Sequence, residues 1–451
     1  MSGTASETEQ RPGVLELARR AKEASRRLAL LPRERRDAAL RAAAEGLVSR
    51  AEEIVAANER DLLEAARAVA GGRMTASTFK RLRTNERGVA EMAERVRDVA
   101  ALEDPLGRTL AVTELDDKLT LTKISCPLGV VGVVFEARPE VVPQVASLAL
   151  KSGNACLLKG GAEAAQSNEA LYTIWRDALA EFEDVPADAA LLLRTREEVS
   201  MMLALDGEID LIIPRGSKEF VSYVAANSRI PVLGHGEGVC HVYVDAAADL
   251  RKAIAVVVDS KTQYPAACNA AETVLVHEEV APKVLPGLVA ALVAAGVEVR
   301  ACARTVELAA TSHGLVAATE EDWATEYSDM VVSVKTVGGL EEALRHIARY
   351  GSRHTESIVT EDGERAARFL AEVDAAGVYH NASTRFADGF RYGLGAELGI
   401  STGKLHARGP VGLEGLTTYK YLLSGDGHTV AAYSSGERTF KHRRRAVSRE
   451  P

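Results

Sequence analysis

The chain has 451 residues, 47% of them hydrophobic and 26% charged, with 55 basic against 64 acidic side chains and a formal net charge of −9. The length suits about three units of ~150 residues, the composition excludes disordered and collagen-like chains, and the acidic balance excludes a general attraction to nucleic acid or anionic membranes. No apolar run approaches the ~20 residues of a spanning helix, and residues 1–13 lack the apolar core of a secretory signal.

From Leu15 to Asn58, apolar residues recur at helical spacing among Ala, Leu, Arg and Glu, and only Pro32 interrupts. Glu59–Leu102 continues in that style, so several amphipathic helices are expected. The texture changes at Ala111. Thr113–Ser125 alternates apolar and polar residues, which predicts a half-exposed strand. Strand-like runs at Val130–Phe135, Ala155–Leu158 and Asp210–Ile213 then alternate with helical stretches at Glu140–Lys151, Glu163–Phe182 and Glu197–Leu205. That alternation argues a parallel sheet with helices on its faces. A second α/β block begins near Cys240, with strands at Val242–Val244, Thr273–Val276 and Ser357–Val359 and helices at Leu285–Ala295 and Leu340–Tyr350. Asn381–Gly412 is rich in Gly, Ser and Thr without periodicity and reads as a long functional loop. The end from His442, with Arg443-Arg444-Arg445, reads as a frayed tail.

Five cysteines (Cys126, Cys156, Cys240, Cys268 and Cys302) are scattered without CxxC spacing, as free thiols in a reducing, cytoplasmic compartment would be. Cys268 sits in Lys261-Thr-Gln-Tyr-Pro-Ala-Ala-Cys-Asn-Ala-Ala-Glu-Thr273, where small neighbours leave the sulfur approachable. A free cysteine is more often a small core residue than a nucleophile, so position favours Cys268 only modestly. Cys156 lies inside a strand-like run and reads as core. Cys240 precedes His241, but neighbours in a strand point to opposite faces, so no Cys–His pair is expected there.

Lys159 closes a strand, a place where open α/β sheets bind ligands, so it suits a phosphate or ribose; a solvated loop lysine is the alternative. Arg215-Gly216-Ser217-Lys218 joins a strand to a helix and offers unpaired amides to an anion, although a plain connecting turn fits as well. Gly234-His-Gly-Glu-Gly238 suits a phosphate-cradling loop or, preferably, a hinge. No HExxH or clustered Cys/His spacing points to a metal.

Taken in order, several segments resemble the aldehyde dehydrogenase superfamily and, within it, the gamma-glutamyl phosphate reductases. They are Pro127-Leu-Gly-Val-Val-Gly-Val-Val-Phe-Glu-Ala-Arg-Pro-Glu140, Lys151-Ser-Gly-Asn-Ala-Cys-Leu-Leu-Lys-Gly-Gly161, Ile209-Asp-Leu-Ile-Ile-Pro-Arg-Gly-Ser217 and Gly234–Asp245. The Cys268 segment, His380-Asn-Ala-Ser-Thr-Arg-Phe386 and Gly395-Ala-Glu-Leu-Gly-Ile-Ser-Thr402 complete the set. The likeness runs from about Leu15 to Gly425.

The resemblance implies an α/β, aldehyde dehydrogenase-like fold. A Rossmann-like cofactor domain would cover 13–113 and 128–247, an α/β catalytic domain 248–415, and a β-flap for oligomerisation 114–127 and 416–434. Residues 1–12 and 435–451 would be flexible tails. It implies NADPH-dependent reduction of L-glutamyl 5-phosphate to L-glutamate 5-semialdehyde and phosphate, the second step of proline biosynthesis from glutamate, through a thioester on the nucleophile Cys268. Lys159, Gly216, Ser217 and Glu326 fall on cofactor-contacting positions. For the anionic substrate, Arg138 and Arg385 are candidate cations and Ser383 a candidate for the amino-acid end. A homo-oligomer is implied, and coupling to glutamate 5-kinase is left open.

Three departures from the wider superfamily bear on chemistry and cofactor choice. The glutamate that activates water in hydrolytic relatives is absent from Leu233-Gly-His-Gly236, and Arg138 stands where those relatives carry an oxyanion-hole asparagine, which leaves the oxyanion donors open, with the Cys268 N–H as the remaining candidate. Ala162 replaces a ribose-binding glutamate, which agrees with NADPH, although Glu163 follows it. Competing readings are another aldehyde or acyl-CoA dehydrogenase of the superfamily, and a catalytically dead scaffold.

Overall fold

The computed structural model describes residues 13–234, 236–309 and 315–447. The chain forms two compact units. One comprises Met1–Gly216, Tyr223–Leu233 and Gly412–Pro451; the other comprises Ser217–Ser222 and Gly234–Val411. The expected tail 1–12 lies outside the described residues.

The first unit opens with helices Val14–Leu28, Arg33–Ser49, Ala51–Ala70, Ala76–Leu82 and Glu86–Ala101. Their inward faces are largely alanine, including Ala18, Ala21, Ala39 and Ala43, all fully buried. Small side chains let helices approach closely, which is how a core poor in aromatics can pack. The first helix lies on strand Ala155–Lys159, in a four-stranded parallel sheet ordered Ala190–Leu193, Ala155–Lys159, Val130–Phe135, Leu211–Arg215. All six residues of Val130–Phe135 are buried, as expected of a parallel strand covered on both faces. Strand Ala190–Leu193 carries too short an apolar run to announce itself.

A second sheet of this unit is antiparallel, ordered Thr417–Ser424, Leu119–Pro127, Thr109–Asp116, Arg443–Arg445. The single strand expected over Thr113–Ser125 is therefore a hairpin. Its turn has no Gly or Asn; Lys118 takes the left-handed conformation at φ 60°, and the Asp117 N–H donates to the Asp116 carboxylate at 2.8 Å. The expected frayed tail is also corrected: Arg443–Arg445 pairs along Val112–Glu114, and Arg445 meets Glu114 at 2.7 Å.

The second unit is built on a seven-stranded parallel sheet. Its order is Leu315–Ala317, Glu298–Ala301, Val331–Val337, Ala271–His277, Cys240–Val244, Thr355–Val359, Gly377–His380. Helices Leu250–Thr262 and Ala281–Ala294 cover one face through Val242, Val274, Val334 and Leu285, and Leu340–Tyr350 and Gly363–Glu372 flank the other around Tyr243, Leu275, Ile358 and Phe369. Cys240–Val244 belongs to this sheet, so the main run of the unit starts at Gly234, just ahead of the change in sequence texture near Cys240, and not at 248. Parallel strands bring all their entering loops to one edge, and that edge carries the chemistry.

Candidate active site

Four adjacent strands define the centre of this edge: Val331–Val337, Ala271–His277, Cys240–Val244 and Thr355–Val359. The residues entering them include Glu326, Cys268, Gly238 and His354 respectively. Cys268 is half-buried, and its Sγ lies 3.2 Å from Nε2 of His354, whose ring is fully buried. His354 Nδ1 sits 2.9 Å from Thr355 Oγ1. The Cys268 carbonyl accepts from Cys240 Sγ at 3.4 Å, and a Cβ built on Gly238 would stand 1.8 Å from that carbonyl oxygen. Only glycine lets these two strand entries touch.

Burial pushes the Cys268 thiol up to about 12, reinforced by the Glu326 and Glu397 carboxylates. The Arg385 guanidinium and the residue's own N–H act the other way. Glu326 accepts from the Gly238 N–H, and burial raises its carboxyl above the usual range. Glu397 is fixed by the Gly389 N–H at 2.7 Å. Arg385 is nearly buried and donates through Nε to Gln263 at 2.9 Å. Ser383 already accepts from Ser260 and from the Arg385 N–H, both at 3.2 Å, so its hydroxyl shapes the turn that presents Arg385. Beneath the edge, Lys261 and Glu272 form a fully buried pair at 2.6 Å.

The loop carrying Glu326 is pinned by Asp322, which accepts from the Thr319 N–H at 2.7 Å, Arg300 at 2.6 Å and the Tyr327 hydroxyl at 2.8 Å. Burial alone would raise this carboxyl, but the donors outweigh it and hold it down at about 2. A depressed folded-state pKa contributes stability above the ordinary carboxylate range of ~3.9, and that stability is lost as the pH falls through about 2. Asp322→Asn is expected to cost about 1–3 kcal/mol at pH 7 and to flatten the stability slope between pH ~4 and ~2. Denaturant titrations across that window check it; identical slopes for the two proteins would refute it.

The remaining singled-out residues lie elsewhere. Arg138, Lys159 and Gly216 belong to the first unit, at the carboxyl edge of three adjacent strands: Arg138 and Gly216 follow Val130–Phe135 and Leu211–Arg215, and Lys159 ends Ala155–Lys159. Lys159 is nearly buried, its Nζ donates to the Gly160 carbonyl, and burial lowers its pKa. Glu163 accepts from the Ala137 N–H, which turns its charge toward the loop after Val130–Phe135. Ser217 Oγ accepts from the Phe220 N–H at 3.3 Å at the start of helix Lys218–Asn227. Ser217, Glu326, Ser383, Arg385 and Cys268 belong to the second unit. No group of three His, Cys, Asp or Glu able to hold a metal occurs among the described residues. A cavity of about 520 Å³ lies at the opposite, carboxyl edge of the seven-stranded sheet, lined by Asp245, His277, Arg345 and Arg368 among others, and contains none of the residues above.

His354 and Glu397 went unnoticed in the sequence. The histidine stands 86 residues from Cys268, and no local spacing reveals such a pair. The glycine run ending at Gly238 is legible as a conformational demand, a hinge or an anion-cradling loop; it begins where the chain passes from one unit to the other, and Gly238 also closes against the thiol loop.

The aldehyde dehydrogenase family profile matches residues 4–313. A gamma-glutamyl phosphate reductase from Synechococcus sp. (strain JA-3-3Ab) is 54% identical over 94% of this chain and 93% of its own length. One from Pelotomaculum thermopropionicum is 52% identical over 95% and 97%. The crystal structure of gamma-glutamyl phosphate reductase from Thermotoga maritima superposes with a TM-score of 0.88 at 41% identity, covering 93% of this chain and all of that one. An acetylating aldehyde dehydrogenase from Geobacillus thermoglucosidasius shares the fold at a TM-score of 0.62 and 19% identity, over 92% of this chain and 97% of its own.

Proposed function

The chain belongs to the gamma-glutamyl phosphate reductase family of the aldehyde dehydrogenases, and on that footing we propose that it reduces L-glutamyl 5-phosphate to L-glutamate 5-semialdehyde and phosphate in proline biosynthesis. Cys268 attacks the acyl carbon, phosphate departs, and a thioester links the glutamyl group to the sulfur. Bound NADPH supplies the hydride. Cys268 is released as the resulting thiohemiacetal collapses to the aldehyde. Its own N–H is the candidate oxyanion donor. Arg385, on the thiol's side of the seven-stranded sheet, and Arg138 are the candidate cations for the phosphate and α-carboxylate. The observation that carries the reading is the half-buried Cys268 sulfur at the entry of the central strand Ala271–His277, with Nε2 of His354 at 3.2 Å.

The reverse direction tests it. With semialdehyde and NADP⁺, NADPH is expected to form beyond one equivalent per Cys268 only when inorganic phosphate is added. Multiple turnovers without phosphate, or with coenzyme A in its place, contradict the assignment.

The first unit fits a dinucleotide phosphate. Lys159 presents an ammonium at the carboxyl edge, Ala162 adds no carboxylate, and the Glu163 carboxylate is engaged by the Ala137 N–H at 2.6 Å. Arg196 lies close enough to help depress the Lys159 pKa, and among the described residues no ion pair within 4 Å engages its guanidinium, although the Glu197 carboxylate feels its charge. Lys159 would hold the adenosine ribose and Arg196 the 2′-phosphate, with Gly216 and Ser217 at the turn and Glu326 at the nicotinamide ribose. Arg196→Ala is expected to weaken NADPH about 10-fold or more while leaving NADH unchanged, because a charged phosphate contact is worth about 1.5–3 kcal/mol. Lys159→Met is expected to weaken both. Fluorescence titration of each nucleotide reads the difference; equal losses for the Arg196 variant would remove its assigned role.

The strand Thr417–Ser424 exposes Tyr419, Tyr421, Leu422 and Leu423 at a sheet edge, which supports self-association there. Five free cysteines support a reducing, cytoplasmic setting.

A further inference from the structure

The geometry points to His354 as the proton carrier of the reaction: it takes the Cys268 thiol proton during attack and passes it to the departing phosphate. This deepens the thioester reading and rests on Cys268 being the nucleophile.

The contact itself is the starting point. Nε2 stands 3.2 Å from Sγ, a hydrogen-bonding separation for sulfur, and the imidazole is 0% exposed. In the tautomer whose Nδ1–H donates to Thr355 Oγ1, 2.9 Å away, the Nε2 lone pair faces the thiol. The ring is held by its position at the entry to strand Thr355–Val359, adjacent in the sheet to the strand that follows Gly238. The surrounding charges make a base necessary. Glu326 and Glu397 face the sulfur, with Arg385 opposing them, and Cys240 contacts the Cys268 carbonyl. Farther in, the carboxylates Glu272 and Glu356 act on Cys240. A thiol raised to about 12 by burial and these carboxylates has on the order of one thiolate in 10⁵ at neutral pH. Direct transfer to Nε2 removes the need for the free thiolate.

The step balances without a further reactant. The S–H bond breaks and its proton moves to Nε2; the S–C bond forms and the C–O bond to phosphate breaks. The imidazolium then gives its proton to the leaving trianion, which departs as hydrogen phosphate. After the aldehyde leaves, the thiolate takes one proton from solvent through the same nitrogen, the proton that the net reduction consumes.

Alkylation of Cys268 by iodoacetamide, mapped by mass spectrometry across pH, tests this without turnover. Wild-type protein is expected to show a midpoint below pH ~10, under the value of about 12 that burial and the carboxylates set by themselves, because the imidazolium formed at Nε2 stabilises the thiolate beside it. His354→Gln is expected to shift that midpoint upward and to slow alkylation at pH 7. It is also expected to lower kcat by about 10²–10⁴-fold with little change in KM, a deficit that narrows as the pH rises. Should His354→Gln not fold, the wild-type profile alone decides: no midpoint below pH ~10 overturns the proposal. Unchanged alkylation and kcat in a folded His354→Gln also overturn it. An inactive Cys268→Ala beside a fully active His354→Gln removes His354 alone; an active Cys268→Ala removes the nucleophile and His354 with it.

Discussion

Cys268→Ala is expected to abolish semialdehyde formation, with kcat reduced by about 10⁴-fold or more, while NADPH binding and the thermal midpoint stay close to wild type. The magnitude follows from what the sulfur does. Covalent capture divides one difficult displacement into two easier steps, and no neighbour of Cys268 can replace it. Cys240 is fully buried with its thiol on a carbonyl, and burial raises it well above the ordinary range. Cys156 is buried in the other unit and pushed up to about 12. The small stability effect follows from the site, because Cys268 is only half-buried and its side chain is no part of the hydrophobic clusters on the two faces of the seven-stranded sheet. Single-turnover kinetics with nucleotide titration separates the two effects. A residual rate above one-tenth of wild type would mean the sulfur is not the acyl acceptor.

The second large effect is expected at a residue with no functional group. Gly238→Ala places a Cβ 1.8 Å from the Cys268 carbonyl oxygen, 2.6 Å from its carbon and 2.8 Å from its Cα, all backbone atoms. No side chain can swing away, so one strand entry must move. Displacing a nucleophile by ~1 Å costs on the order of 10² in rate, and overpacking adds about 1–3 kcal/mol of destabilisation. The movement also strains the Gly238 N–H bond to Glu326, which links two site residues. Gly236→Ala is the matched control, because its Cβ would meet only the Lys218 side chain, at 3.4 Å. Comparable losses in the two variants would show that loop flexibility, and not the close approach, governs the site.

How much of this was legible in the sequence depended on the range of each interaction. Val130–Phe135 and Leu340–Tyr350 appear as read, because buried strands and amphipathic helices write their period into consecutive residues. The hairpin at Asp117-Lys118 did not, because its turn uses a lysine in a conformation ordinarily left to Gly or Asn. Arg443–Arg445 reads as a solvated charge run in isolation; only the facing strand, with Glu114 opposite, makes it sheet. At the site, Cys268 stood out through its small neighbours. Its partners Glu326, Glu397 and His354 enter from separate loops, and sheet order brings them together, a long-range property that spacing does not encode. Of these Glu326 was reached through family resemblance, and His354 by geometry alone.

Incubation with semialdehyde and NADP⁺ in the absence of phosphate should strand the glutamyl group on the protein. Acid quench and peptide mass mapping are expected to find a hydroxylamine-labile glutamyl adduct on the Cys268 peptide, which disappears when phosphate is supplied before the quench. An adduct on any other side chain, or turnover with no adduct at all, would contradict the account.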